Sequence, residues 1–415
     1  MSTRSLNSEV TFTEITGAVT APAGFRAAGV ACGIKQNGSP DLALIISDAP
    51  AASAAVFTLN KAQAAPVLVS KDRLAASGGR SRVVVINSGC ANACTGPEGL
   101  RTAELMADAA AGAAFVELPE VLVASTGVIG VALDRACVTA GIVSAAATLS
   151  TAGGSDAARA IMTTDPFPKE AAVEVTLPGG AFRIGGIAKG SGMIEPHMAA
   201  LSATMLAVVT TDAGIEPALL QRALTSVVDE TFNAISVDGE CSTNDCVFAL
   251  ANGASDVTIA ARDLDIFMEA LRRVCEPLAV GIVRGGEGAT KVVTIEVTGA
   301  QSNAEAKQAA RAIANSPLVK TAVHGADPNW GRLVAVAGRA GVAFDLERTR
   351  VQIGDVELFV GGPPYDERAA AASAHLQGTD VLLRVDLGTG GSGRARMWTC
   401  DLSADYVKIN AEYRT

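Results

Sequence analysis

The sequence predicts a mixed α/β fold, and two observations predict it. Short β-branched runs alternate along the chain with segments whose apolar residues recur at helical spacing. The core must also be built from small aliphatic side chains, because hydrophobic residues make up 49% of the chain and aromatics only 4%. The 42 glycines add tight turns and close backbone approaches. At 415 residues there is room for two or three domains or for one large α/β unit.

Taken in order, the small, glycine-rich residues 18–33 read as an irregular entry. LALIISD (42–48) and AAVFTL (54–59) read as strands, with 47–53 as the turn between them. PVLVS (66–70) and RVVVINS (82–88) read as further strands, the second an unbroken β-branched run of the kind buried on both faces. It empties into the small-residue loop GCANACTGPEG (89–99), before a helix over 100–114 and a strand EVLVAST (120–126). Helices follow at 134–148 and 155–162, then a hairpin of VEVTL (173–177) and FRIGGIA (182–188) across Pro178-Gly179-Gly180.

Beyond residue 213, Pro217 opens a helix whose apolar face is Leu220, Ala223, Leu224, Val227 and Val228. The polar loop SVDGECSTNDCV (236–247) carries Asp238, Ser242, Thr243, Asn244 and Asp245, either to bind a polar ligand or to satisfy turn backbone. A second amphipathic helix runs through Leu264, Phe267, Leu271 and Val274. RGGEGATK (284–291) is the candidate hinge, which places a larger domain at 1–285 and a smaller one at 286–415. The strand VVTIEVTG (292–299) and a capping box, Ser302 to Glu305, come next. SPLVKTAVHGADPNWGR (316–332) reads as short apolar residues leading to a polar loop. The remainder is read as strands, from VAVAG (334–338) to MWTCDL (397–402), broken by one helix near 367–376.

Charge and composition exclude several functions. A net charge of −10 with no basic block argues against a nucleic-acid surface. The polar N-terminus predicts no signal peptide, and no apolar run is long enough to span a membrane. Eight dispersed cysteines and three histidines fit reduced cytosolic thiols better than a disulfide scaffold or a zinc site. GGIAKGSG (185–192) is not a Walker loop, because its lysine precedes the glycine and Pro196 soon follows. There is no GxSxG elbow.

The stretch around which the chain is organised is KGSGMIEPHMAALSATMLAVVTTDA (189–213). Small Ser202 and Ala203 leave the Ala203–Thr204 bond open to attack by the Thr204 hydroxyl. An N→O acyl shift there would cut the chain and make Thr204 a new N-terminus, its hydroxyl a nucleophile beside an α-amine base of pKa about 7.7–8.0. The plain alternative is an ordinary threonine starting a buried strand. Likewise, Thr126-Gly127 at a strand end offers a hydroxyl and an N–H to an oxyanion, or merely ends the strand.

Eight stretches act together: NSGCANACTG (87–96), STGVIG (125–130), AIMTTD (160–165), AKGSGMI (188–194), ATMLAVVTTDA (203–213), DGECSTND (238–245), GEGATK (286–291) and SPLVKTAVHGADPNWGR (316–332). In this order they resemble the ornithine acetyltransferase (glutamate N-acetyltransferase) family of arginine biosynthesis, from APAGFRAAGVACGIK (21–35) to the terminal NAEYRT. The resemblance implies a DOM-type fold like that of N-terminal-nucleophile enzymes, cytoplasmic, cleaved into an α chain 1–203 and a β chain 204–415 that assemble as α2β2. It implies acetyl transfer from N2-acetyl-L-ornithine to L-glutamate by a ping-pong route, with no metal or bound cofactor; some relatives also take acetyl-CoA. By motif, Thr204 matches the nucleophile, and Thr126 and Gly127 the oxyanion hole. Thr163, Lys189, Glu287, Asn410 and Thr415 match substrate contacts. The chemistry agrees: an amino-acid substrate needs a cation for its carboxylate and a carboxylate for an ammonium.

One departure stands out. The family reads Pro-x-Met-Ala-Thr-Met-Leu, whereas this chain has Pro196-His-Met-Ala-Ala-Leu-Ser-Ala-Thr204-Met-Leu. Aligned from Lys189, Ala200 takes the nucleophile position; aligned from the TTDA side, Thr204 does, and it keeps its Ala203, Met205 and Leu206 neighbours. The extra residues then fall just before the scissile bond. Two other readings share these residues: a threonine N-terminal-nucleophile amidohydrolase or aminopeptidase, and an uncleaved amino-acid-binding protein.

Overall fold

The β-branched run at 82–88 forms the heart of strand Arg80–Cys90, and its alternation decides how the layers stack. Val84 and Ile86 enter one apolar cluster while Val83 and Val85 enter another on the opposite face. Both faces of this part of the sheet therefore need helices to cover them. The computed structural model describes residues 10–195 and 205–412, and among these the architecture is mixed α/β, as the sequence predicts. The larger sheet has nine strands. Eight run in the order Thr11–Glu14, Lys169–Leu177, Gly180–Lys189, Leu206–Thr211, Cys246–Ala251, Leu42–Phe57, Arg80–Cys90 and Val121–Val128, and Phe25–Val30 pairs beside Leu42–Phe57. A six-stranded sheet takes Ile235–Ser236, Gly393–Cys400, Val292–Ala300, Asp380–Asp386, Arg350–Ile353 and Val356–Val360.

Helix Leu264–Arg284 joins the two sheets. One apolar cluster runs from Val209 in the large sheet through Leu278 and Ile282 of this helix to Val293 and Ile295 in the small one. At its other end Phe267 stacks on Phe182, ring centroids 6.1 Å apart, a contact worth about 0.5–1.5 kcal/mol beyond its area. The Ser302 cap also forms, its side chain accepting from the Glu305 N–H.

Several local expectations fail, each for a physical reason. Residues 47–53 are not a turn but the middle of one strand, Leu42–Phe57. A register shift between Ile46 and Ala51 absorbs the Asp-Ala-Pro residues, which bulge to solvent. The entry at 18–33 is not wholly irregular, since Phe25–Val30 pairs with this same strand. PVLVS is helical, inside Ala65–Ala76. Its Pro66 sits in the first turn, and the Ser70 hydroxyl both donates to Val123 O (2.6 Å) and accepts from Val123 N (2.8 Å). Docking against the outer strand Val121–Val128 thus outweighs local β-propensity and blunts a sheet edge. VAVAG also lies in a helix, Trp330–Gly338, capped by the Asn329 side chain; a five-residue apolar run is too short to tell helix from strand. The apolar start of 316–332 is the helix Pro317–His324.

Truncating Leu278, 1% exposed and packed against Gly186 of the large sheet, tests this core. Leu278→Ala should lower the unfolding free energy by about 3 kcal/mol in a denaturant titration; a loss under about 1 kcal/mol would mean this helix is not packed into the large sheet as described.

Candidate active site

The strand Gly180–Lys189 delivers its last side chain, Lys189, into the protein, where it is 2% exposed. Its Nζ donates to Thr163 Oγ1 (2.9 Å) and Thr126 Oγ1 (3.2 Å). Burial pulls the lysine's pKa down, opposed chiefly by Asp165. That aspartate is itself buried and accepts from Lys169 Nζ (2.6 Å), Gly190 N (2.7 Å) and Thr163 N (3.0 Å). Burial pushes its carboxyl up, but the charges of Lys189 and Lys169 outweigh this and hold it at about 2. The loop bearing Thr163 is thus clamped to the end of the Lys189 strand.

Thr126 and Gly127 end the strand Val121–Val128, parallel to Arg80–Cys90. The register breaks between Gly89 and Cys90, and Gly127 adopts φ +126° there. A Cβ at Gly127 would run into the Gly89 carbonyl carbon, so only glycine fits. Three motifs interlock beneath this turn. Ser125 Oγ donates to Asn87 Oδ1 (2.6 Å), and Asn244 Nδ2 donates to Ser125 O (2.8 Å) and Ala91 O (2.6 Å).

The opposite wall comes from the second half of the chain. Glu287 is 6% exposed, and its N–H donates to Ser191 O (3.0 Å). Gly192 faces its carboxylate so closely that a Cβ would overlap it. Asn410 Nδ2 donates to Glu287 Oε2 (2.9 Å) from the helix Ala404–Glu412. Tyr406, one turn earlier on that helix, reaches Asp238 Oδ2 (3.4 Å). Burial and the Asp238 charge push the Tyr406 phenol pKa up. Asp238 also accepts from Met193 N (2.7 Å) and Ile194 N (2.8 Å), so it shapes the glycine-rich turn. The polar loop at 236–247 therefore satisfies backbone, and its Asp238, Ser242 and Asn244 line the pocket as well.

Thr126, Gly127, Thr163, Lys189, Glu287 and Asn410 all line this one pocket. Ala203, Thr204 and Thr415 lie outside the described residues. Met205 is fully buried and leads into strand Leu206–Thr211, whose Leu206 lies opposite Lys189. Sequence reasoning missed Asp165, although it stands in the MTTD motif, and Tyr406, although its i,i+4 spacing from Asn410 puts the two on one helix face. It also gave Asp245 no special part. That carboxylate is fully buried at the head of strand Cys246–Ala251, and among the described residues neither oxygen has a well-aligned hydrogen bond. Burial holds its pKa well above the usual carboxylate range, against the nearby Met205 backbone N–H and the Lys189 charge. Among the described residues no three His, Cys, Asp or Glu side chains group as metal ligands, and no helix is long and apolar enough to cross a membrane.

The Asp165 cluster predicts a pH-dependent stability. Its folded pKa of about 2 lies below the ordinary value, so its contribution is present above about pH 4 and lost as pH falls toward 2. Asp165→Asn should therefore cost about 2–3 kcal/mol at pH 6, with the gap to the parent protein closing between about pH 4 and 2. Denaturant titrations at pH 6 and pH 3 check this; an equal gap at both would reject the ion cluster.

Comparison with known proteins places the chain. The family model described as "ArgJ family" matches residues 26–415. A Synechococcus protein named "Arginine biosynthesis bifunctional protein ArgJ" is 48% identical over 97% of this chain and 98% of its own length. The Chlorobaculum tepidum protein of the same name is 49% identical over 95% of this chain and 96% of its own. Among solved structures, an ornithine acetyltransferase chain from Mycobacterium tuberculosis, complexed with ornithine, is 42% identical. It covers 45% of this chain and 100% of its own, with a TM-score of 0.42. The ArgJ chain from Bacillus halodurans is 39% identical, covering 46% of this chain and 98% of its own, with a TM-score of 0.43. The chain belongs to the ArgJ family, the ornithine acetyltransferases, and is an acyltransferase.

Proposed function

We propose that the chain cuts itself between Ala203 and Thr204 and then carries the acetyl group of N2-acetyl-L-ornithine to L-glutamate on the Thr204 hydroxyl. The observation that carries this reading is the convergence of six residues, from Thr126 to Asn410, on one pocket beside the strand that follows Met205. In the first step the Thr204 hydroxyl attacks the Ala203 carbonyl carbon. The C–N bond breaks, the nitrogen takes the hydroxyl proton, and water hydrolyses the resulting ester. Thr204 is left with a free α-amine.

In the transfer cycle that amine accepts the hydroxyl proton as Oγ attacks the acetyl carbon. The oxyanion that forms meets the Gly127 N–H and the Thr126 hydroxyl. Because Thr126 Oγ1 already accepts from Lys189, its own proton is free to point at that oxyanion. Ornithine leaves with a proton, and the glutamate amine attacks the acetyl ester in turn. Lys189 pairs with the α-carboxylate common to both substrates, and Glu287, held by Asn410, pairs with an ammonium. The proposal includes acetyl-CoA as a second donor to Thr204, an α2β2 assembly and a cytoplasmic location.

Denaturing electrophoresis with intact-mass analysis tests the first step. The reading expects chains of 203 and 212 residues from the 415-residue precursor. Thr204→Ala should stay as one 41.9 kDa chain without transfer activity, whereas Gly127→Ala, whose Cβ would collide with the Gly89 backbone and displace the N–H from the oxyanion, should slow transfer about 100- to 1,000-fold. Full activity from an uncut chain would defeat the reading, and hydrolysis of acetylornithine with no acetylglutamate formed would favour an amidohydrolase.

A further inference from the structure

The transfer reaction gives no role to the motif HGADPNWGR or to the helix Pro317–His324 that leads into it, and none of that helix's residues lines the pocket. Yet the helix grips both segments that carry the pocket's far wall. Lys320, 5% exposed, sends its Nζ to Thr399 Oγ1 (3.0 Å) and Cys400 O (2.5 Å), and its carbonyl accepts from Leu402 N (3.3 Å). These bonds hold the chain where strand Gly393–Cys400 turns toward the helix bearing Tyr406 and Asn410. At the C-terminal end of Pro317–His324, Val323 O accepts from Lys291 Nζ (2.7 Å), which also reaches Leu376 O (2.6 Å).

Between these two grips lies Asp401, 2% exposed, whose carboxylate collects four donors. Oδ1 accepts from Thr290 N (2.8 Å) and Lys291 N (2.9 Å). Oδ2 accepts from Thr290 Oγ1 (2.6 Å) and His324 Nδ1 (2.7 Å), so that ring nitrogen carries the proton. Burial alone would raise the Asp401 pKa, but the Thr290 hydroxyl, the His324 ring and the two backbone N–H groups outweigh it and hold it low. Thr290 stands three residues after Glu287. Two residues after Asp401, Ser403 Oγ donates to Gly288 O (2.6 Å), next to Glu287. The substrate-facing pair Glu287 and Asn410 is thus fixed through one carboxylate.

We propose that helix Pro317–His324 is a splint for the pocket's far wall, and that His324 is a positioning residue that sets Glu287 against Asn410 through Asp401. The inference rests on the reading of Glu287 and Asn410 as substrate contacts. His324 does not itself touch substrate. With its side chain 42% exposed it is also no core-packing group, so its loss leaves the fold standing. Removing the ring leaves Asp401 Oδ2 with the Thr290 hydroxyl alone and loosens the loop that carries Glu287.

The test uses the full-length protein with His324→Ala and His324→Asn, whose amide N–H can stand in for the Nδ1–H. We expect His324→Ala to raise both the calorimetric Kd for L-ornithine and the KM for N2-acetyl-L-ornithine about tenfold. Its kcat and the extent of chain cleavage should stay within about twofold of the parent, and His324→Asn should restore Kd and KM to within about threefold. An unchanged Kd and KM in His324→Ala, a fall in kcat at constant KM, or no rescue by His324→Asn would overturn the splint. The parent protein tests the underlying reading separately: if it binds L-ornithine but transfers no acetyl group, the transfer reading falls while the calorimetric series still decides the splint. If the parent binds no ornithine, both fall.

Discussion

Taking the Lys189 ammonium out of water is costly unless other groups replace its hydration, and much of the site follows from how the protein does so. Thr126 and Thr163 supply two hydroxyl acceptors, and Asp165 supplies the opposite charge. Asp165 is shared with Lys169, so two buried lysines face one ionised carboxylate. Two more buried acids act on Lys189: Asp245, which burial pushes toward its neutral form, and Glu287 on the facing wall. The pocket therefore holds a lysine and a carboxylate, Lys189 and Glu287, on facing walls. A carboxylate on the proposed amino-acid substrate would replace part of the hydration that Lys189 has lost, which a neutral amide would do less well.

The fold positions that charge with main-chain devices. Lys189, Leu206 and Cys246 share one rung of the large sheet, so the lysine, the chain that follows Met205 and the head of the Asp245 strand meet at one end. The Asn87–Ser125–Asn244 network fastens the Thr126-Gly127 turn to the same place. The second sheet and its helices bring the countercharge: Glu287 enters on a loop tied to Ser191, and Asn410 on the helix beyond Asp401. A cation and a carboxylate on facing walls match a molecule that carries both charges.

Much of this was legible in the sequence because the residues that do chemistry stand in short runs that also need a special backbone. Gly127 and Gly192 stand in such runs: a Cβ at the first would meet the Gly89 backbone, and at the second the Glu287 carboxylate. Strands such as Arg80–Cys90 were legible from unbroken β-branched runs. What stayed hidden depends on contacts between distant segments. Residues 66–70 and 334–338 look like strands in isolation and become helices because of what they dock against. Asp165 and Asp401 look like ordinary polar residues until folding buries each among several donors. No local spacing records that burial.

The most direct measurement is peptide mapping by mass spectrometry after the protein is mixed with N2-acetyl-L-ornithine in the absence of glutamate and quenched. If the pocket does what its charges and hydroxyls suggest, the mass of one acetyl group will be found on the peptide that begins at Thr204, and adding glutamate before the quench will remove it. An acetyl group on any other residue, or none at all while acetylglutamate still accumulates, would contradict the account.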